Sequence, residues 1–154
     1  MEIEKIAKII KQNGGETYLV GGAVRDAILN IPIKDEDYCV TGLTAEKFLK
    51  LFPEAKLRGK SFGVFDLEHK EFALARKETK IGKGHKEFKI EANDEITIEE
   101  DLERRDITIN SIAQNVLTKE IIDPFGGQED LERRIIRATS EKFKEDPLRV
   151  YRVA

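Results

Sequence analysis

The chain has no tryptophan, one methionine, one cysteine, two histidines and four prolines in 154 residues. Each scarcity removes a class of explanation. A single cysteine, Cys39, cannot build an intrachain disulfide framework, which fits a reducing cytoplasm. His69 and His85 have no metal-ligand spacing with each other or with Cys39, so a zinc site of the Cys/His type is not expected. No apolar run approaches the roughly 20 residues of a membrane span. The opening Met1-Glu2-Ile3-Glu4-Lys5 lacks the basic-then-apolar order of a secretion signal. There is no excess of basic charge either: the formal net charge of −3 argues against coating nucleic acid by bulk attraction. What remains is a polar, soluble composition, 40% hydrophobic and 37% charged, of a length that suits one globular domain with a real core.

Charge is unevenly placed along this domain. Residues 77–89 hold five lysines against Glu78 and Glu87, a local +3, whereas residues 91–106 hold eight acids against Arg104 and Arg105, a local −6. The lysine-rich stretch has no usable periodicity and reads as a mobile loop.

The spacing of Ile3, Ile6, Ala7 and Ile10 predicts an amphipathic helix stopped by Asn13-Gly14-Gly15. A short β run from Thr17 to Val20 follows, then glycines, then a helix with Val24, Ala27 and Ile28 on one face. Asp37-Tyr38-Cys39-Val40-Thr41 reads as a strand, and Thr44 caps a helix expected to bury Ala45, Phe48, Leu49 and Phe52 and to close at Pro53. The runs 61–67 and 71–76, joined at Glu68-His69-Lys70, predict a hairpin. Thr97 and Glu100 fit a capping box. Ile109, Ile112, Ala113 and Val116 at helical spacing predict a second helix there, before a short strand at 120–123 and a turn at Pro124-Phe125-Gly126-Gly127. A short helix around Leu131 and a strand at 135–138 complete the globular part. Asp146-Pro147 then reads as an N-cap with proline at the first helical position. A helix over 148–154 is marginal unless it packs, so the chain is expected to be the front part of a longer polypeptide.

The chemistry concentrates at Tyr18-Leu19-Val20-Gly21-Gly22-Ala23-Val24-Arg25-Asp26 and at Lys34-Asp35-Glu36-Asp37. A strand entering a glycine turn at a helix start presents backbone N–H groups, which suits phosphate. Such a pair also marks ordinary tight turns. Asp35 and Asp37, two apart in an extended segment, would project from one face with Cα atoms roughly 6.5–7 Å apart. That places two hard oxygen ligands where magnesium could meet phosphate oxygens. Arg25 would either fork onto a phosphate or bridge Asp26 on the surface. Glu71 shares a strand face with Ala73 and Ala75, so it is either a third carboxylate beside the aspartates or an edge residue facing water. Arg105 either forms a solvated salt bridge with Asp101 four residues earlier or reaches a nucleotide with Asn110, which shares a face with Asp106. Arg149 and Arg152 face a triphosphate or water.

Taken in order, these segments resemble those of the bacterial class II tRNA nucleotidyltransferases, the CCA-adding family that includes bacterial poly(A) polymerase. The segments continue with Glu71-Phe72-Ala73-Leu74-Ala75-Arg76-Lys77-Glu78 and Glu100-Asp101-Leu102-Glu103-Arg104-Arg105-Asp106-Ile107-Thr108-Ile109-Asn110. Ile122-Asp123-Pro124-Phe125-Gly126-Gly127 and Glu145-Asp146-Pro147-Leu148-Arg149-Val150-Tyr151-Arg152 close the series.

The resemblance implies an α/β (α+β) polymerase-β-like nucleotidyltransferase fold, a mixed sheet flanked by helices, with a head over residues 1–140 and the start of a helical neck at 141–154. It implies magnesium held by Asp35 and Asp37, with Glu71 as a further catalytic carboxylate. ATP or CTP would be bound by Gly21, Gly22, Arg25, Arg105, Asp106, Asn110, Arg149 and Arg152. The implied activity is addition of CMP and AMP to the tRNA 3′ end in the cytoplasm, with no membrane partner. The resemblance also implies that the charge of the lysine-rich stretch either is solvated or attracts an RNA end or a triphosphate, and that the acidic surround from Glu91 to Glu103 faces away from RNA. The family's base-selecting motif and tRNA-gripping domains would lie beyond residue 154, so these residues alone are expected to bind nucleotide weakly, not to discriminate CTP from ATP, and to add little or nothing to tRNA. A poly(A) polymerase, a CC- or A-adding enzyme and a non-catalytic nucleotide-binding module are the competing readings. Two intact, mutually repelling acids argue against the last.

Overall fold

Alternation of side chains along two adjacent strands decides which residues reach the site. The computed structural model describes residues 1–58, 63–80 and 88–140, with side chains at 79, 80 and 88–90 excepted. The elements run α1 (Ile3–Gln12), β1 (Glu16–Val20), α2 (Gly22–Ile28), β2 (Asp37–Thr41), α3 (Ala45–Leu51), β3 (Lys56–Leu57), β4 (Val64–Leu67) and β5 (Lys70–Leu74). They continue with β6 (Arg76–Lys80), β7 (Phe88–Ala92), α4 (Ile98–Glu103), a 3-10 turn (Thr108–Asn110), β8 (Ala113–Asn115), β9 (Ile121–Ile122) and α5 (Gly127–Glu132). Seven strands form one sheet in the order β3-β4-β5-β2-β1-β8-β9, and β6 and β7 form a separate ribbon. Only β2 and β5 pair in parallel within the large sheet, so it is mixed, as expected.

Tyr38 and Val40 of β2 and Phe72 and Leu74 of β5 point to one face, where they meet Ile6, Ala7 and Ile10 of α1 and Phe48 and Phe52 from α3 and its end. Phe48 stacks on Phe65 with ring centroids 4.6 Å apart, and Tyr38 on Phe72 at 5.3 Å. The opposite face buries Val20, Cys39, Ala75 and Ala113 under Ile98 and Leu102 of α4. Because the side-chain period is two, Asp37 shares this second face with Cys39, and its register partner Glu71 lies beside it. The first face takes the aromatic core; the second is left for the acids and small residues.

Local signals set the boundaries. The Thr44 hydroxyl accepts from the Lys47 N–H at 3.1 Å. Thr97 and Glu100 form the reciprocal capping box that opens α4. Glu68 and His69 turn the β4–β5 hairpin with φ of 51° and 64°, the left-handed pair that a two-residue turn requires.

Three expectations fail. The apolar spacing of Ile109, Ile112, Ala113 and Val116 does not make a helix: after the 3-10 turn the chain extends as β8 between β1 and β9. A place beside β1 satisfies backbone donors and acceptors on both sides and buries Ile112 and Ala113 completely, which outweighs the helical period. Residues 77–89 are not simply a loop. Their ends pair antiparallel from Arg76↔Ala92 to Lys80↔Phe88, and residues 81–87 lie outside the described residues. This ribbon is held by charge, with Lys77 Nζ 3.5 Å from Glu91 and 3.6 Å from Glu100, so no apolar alternation announced it. The strand expected at 135–138 reduces to a single bridge, Ile107↔Ala138. The short β3 had no sequence signal. No described helix is long and apolar enough to cross a membrane.

Candidate functional site

β1 ends at Val20, and Gly21 takes φ +70° and ψ −143°, a conformation that a side chain strains. The Gly21 carbonyl then accepts from the Val24 N–H at 3.1 Å to start α2. A Cβ on Gly22 would stand 3.2 Å from Arg25 Nη2, so the second glycine keeps room for that guanidinium. Arg25 donates from Nε to Asp26 Oδ1 at 3.2 Å and from Nη1 to Asn110 Oδ1 at 2.9 Å. Asn110 in turn donates to Asp106 Oδ1 at 3.3 Å. Arg25 thus bridges Asp26, as one of its two readings expected, and it is also locked across the fold onto the 3-10 turn.

At the start of β2, Asp37 lies opposite Glu71. Burial pushes the Asp37 carboxyl above the usual carboxylate range, followed by the charge of Glu71 and a hydrogen bond to it. Arg105 pulls the other way, and Asp35 adds to the rise. Glu71 is also in direct ion contact with Arg58, whose Nε lies 3.4 Å from Asp66. The Tyr38 hydroxyl donates to Glu36 Oε2 at 2.7 Å, which ties up the middle acid of the run 35–37. Among the described residues no three His, Cys, Asp or Glu side chains are assembled as a metal-holding group. Asp35, Asp37 and Glu71 therefore make no preformed cage.

Two clefts meet at Asp37. The first, about 490 Å³, is lined by Gly21, Gly22, Arg25, Asp37, Arg76, Glu78, Arg104, Arg105, Asp106 and Asn110. The second, about 500 Å³, holds Asp35, Glu36, Asp37, Asp66, Glu68 and Glu71 with Lys34, Arg58, His69 and Lys70. Seven of the residues expected from the sequence thus share the first cleft, and Asp35, Asp37 and Glu71 share the second. Arg149, Arg152 and the whole of residues 141–154 lie outside the described residues.

Sequence reasoning missed part of the first cleft. Arg76, Glu78 and Arg104 line it, although each lies within a segment that carried the family resemblance. It also misjudged Asp101, taken as one end of a solvated helical pair. That carboxylate is 1% exposed, and its Oδ1 accepts from Arg105 Nη2 at 3.1 Å. The ion pair at i,i+4 is real, but it sits inside the fold. Arg58 left no signal, because its acid partners come from the hairpin.

With the geometry in place, the comparisons decide the family. The family model described as the Poly A polymerase head domain matches residues 17–137. The chain belongs to that family. This head domain is 55% identical over 139 residues to the CCA-adding enzyme of Buchnera aphidicola, covering 89% of the chain and 33% of the relative. It superposes on the Bacillus stearothermophilus CCA-adding enzyme in complex with CTP with a TM-score of 0.74 at 35% identity, over 96% of this chain and 36% of that one. For the Thermotoga maritima CCA-adding enzyme complexed with tRNA the TM-score is 0.71 at 28% identity, over 97% and 35%. The head domain therefore has the nucleotidyltransferase fold of CCA-adding enzymes, and the chain spans about a third of the length of the relatives it matches.

Proposed function

We propose that this head domain supplies the nucleotidyl-transfer site of a cytoplasmic CCA-adding enzyme, which extends the tRNA 3′ end with CMP and AMP from CTP and ATP. The observation that carries the reading is the position of Asp37, among the described residues the one side chain that lines both an arginine-rich cleft and an acid-rich cleft. Transfer between two substrates needs such a meeting point. The division into a head over 1–140 and the start of a neck at 141–154 belongs to the same proposal.

In this reading the nucleotide lies in the first cleft. Arg25 and Arg105, joined by Arg76 and Arg104, neutralise the triphosphate, and Arg149 and Arg152 add to them. Gly21 and Gly22 let the phosphates approach the backbone. Asp106 and Asn110 hold Arg25 in place and face the sugar. Donors fixed before the substrate arrives need little reorganisation as charge develops in the reaction. The acceptor 3′ hydroxyl enters from the second cleft and attacks the α-phosphorus in line. A new oxygen–phosphorus bond forms, the bond to the β-phosphate oxygen breaks, and pyrophosphate leaves. Glu71, beside Asp37, is assigned to receive the hydroxyl proton.

The acids fit magnesium. Burial first, and then the facing Glu71 carboxylate, hold the Asp37 carboxyl above its usual range, so a cation there would meet oxygen ligands short of countercharge. Magnesium is commonly held by one or two carboxylates completed by substrate phosphates, which agrees with acids that form no cage by themselves. Asp35 and Asp37 would hold it, and when bound it supplies neutralisation of charge at the phosphate oxygens.

The test is CTP and ATP binding by this chain with and without magnesium, beside Asp35→Ala. Binding that needs both magnesium and Asp35 supports the proposal; no binding, or binding indifferent to Asp35, overturns it. Supplying tRNAs that lack CCA, CA or A to the protein separates CCA addition from partial addition, and extension with ATP alone into a long tail would instead mark a poly(A) polymerase.

A further inference from the structure

Behind the arginine side of the first cleft is a carboxylate with three kinds of partner. Asp101 Oδ1 accepts from Arg105 Nη2 at 3.1 Å. Its Oδ2 accepts from the backbone N–H of Arg76 at 3.0 Å and lies 3.6 Å from Arg104 Nε. The Cys39 thiol, on the strand that Asp37 opens, also faces it. Asp101 is 1% exposed, and the side chains of Arg104 and Arg105 only 14% and 20%. One carboxylate thus sits against two guanidiniums. Moreover, Nε of Arg105 and Nε of Arg76 are buried with no acceptor among the described residues. An ion pair that served stability alone would use its donors inward, because an unmet buried donor is costly. Here the unmet donors belong to side chains that line a cleft open to a ligand.

We propose that Asp101 is the positioning residue of the nucleotide cleft: it aims Arg104 and Arg105 at the triphosphate and fixes the start of β6, so that Arg76 is held with them. The role rests on the nucleotide reading of that cleft. Its physical basis is local. The α4 helix ends at Glu103 with Arg104 as its C-cap, so the two arginines leave the helix just where Asp101, three and four residues back, can hold both. A guanidinium gripped at one edge presents its remaining N–H groups in a fixed fork. Without Asp101 the arginines would keep their charge and lose their direction.

The experiment is a double-mutant cycle on magnesium-CTP affinity with Asp101→Asn, Arg105→Lys and the pair. Each single change is expected to weaken binding by about tenfold or more, the scale of one charge-assisted contact. The pair is expected to lose clearly less than the product of the two single losses, because part of what Asp101 does passes through Arg105. Losses that multiply would overturn the positioning role and leave Asp101 a structural acid. If Asp101→Asn does not fold, NMR of the unaltered chain decides. Hindered rotation of the Arg105 guanidinium in the nucleotide-free protein is expected, and free rotation would overturn the proposal. Should Arg105→Lys leave CTP binding unchanged, the nucleotide reading of the cleft falls and the positioning role with it, even where the guanidinium proves restrained.

Discussion

The two clefts that share Asp37 are nearly equal in volume, about 490 and 500 Å³, and unlike in charge. Four arginines face three acids in the first, and three cations face six acids in the second. The first resembles a site prepared for a polyanion, with its guanidiniums held by Asp26, Asn110 and Asp101 before any ligand arrives. The second leaves Asp37 among acids that raise its pKa. The contrast gives the two sides different needs: one receives negative charge directly, and the other must acquire cations before a phosphate can approach its acids.

Removing the shared residue is the harshest way to break this comparison. Asp37→Ala is expected to lower nucleotidyl transfer by on the order of a thousandfold or more, the scale of losing a group aimed at the developing charge. Single-turnover addition to a tRNA substrate would read it, and near-normal turnover would end the claim that the clefts meet functionally at this side chain. Arg25→Ala touches the arginine cleft only. It should weaken CTP and ATP binding by about tenfold, measured by calorimetry, while magnesium still stimulates transfer at saturating nucleotide. Arg58→Ala touches the acid cleft only, freeing Glu71 from its ion contact. Nucleotide affinity should then stay within about twofold, because exposed ion pairs contribute little, while the magnesium dependence of transfer shifts. Equal effects of both arginine changes on nucleotide affinity would collapse the distinction between the clefts.

Smaller effects concern stability. Thr97→Ala removes the α4 capping box and should cost about 1 kcal/mol in denaturant unfolding. Asp37→Asn should act in the opposite sense. The folded-state pKa of Asp37 is raised above its unfolded value, so the folded protein binds this proton more tightly. Ionising Asp37 then costs stability as pH rises from the ordinary carboxylate range through the raised value, and the cost is complete above it. Asp37→Asn is therefore expected to melt higher than the unaltered protein at neutral pH, with the difference shrinking as the pH falls below the carboxylate range. Thermal melts across pH give the reading, and an advantage that grows toward acid would contradict the sign.

The acid side was the more legible of the two in the sequence. Asp37 opens a strand whose alternation with Tyr38, Cys39 and Val40 is plain, and Glu71 stands in the second strand of a recognisable hairpin, but the parallel pairing of β2 with β5 that sets the two side by side left no local signal. The arginine side was harder. Asp106 and Asn110 were expected on one helix face and are indeed hydrogen-bonded, but across a 3-10 turn. The residues beyond it belong to β8, whose partners β1 and β9 are far away in the chain. Asp101 was read as a surface acid because its pairing is local, whereas its burial comes from packing α4 over β2 and β6, which no local pattern records. Arg76 lay at the edge of the lysine-rich stretch, where a ribbon held by charge has no apolar signature.

The most direct test of the central claim is calorimetric binding of CTP to this chain in magnesium, compared with Arg105→Ala. The account predicts binding that weakens by about tenfold or more when the guanidinium is lost, together with a decline as monovalent salt is raised. Affinity unchanged by Arg105→Ala, or absent from the unaltered chain, would contradict it.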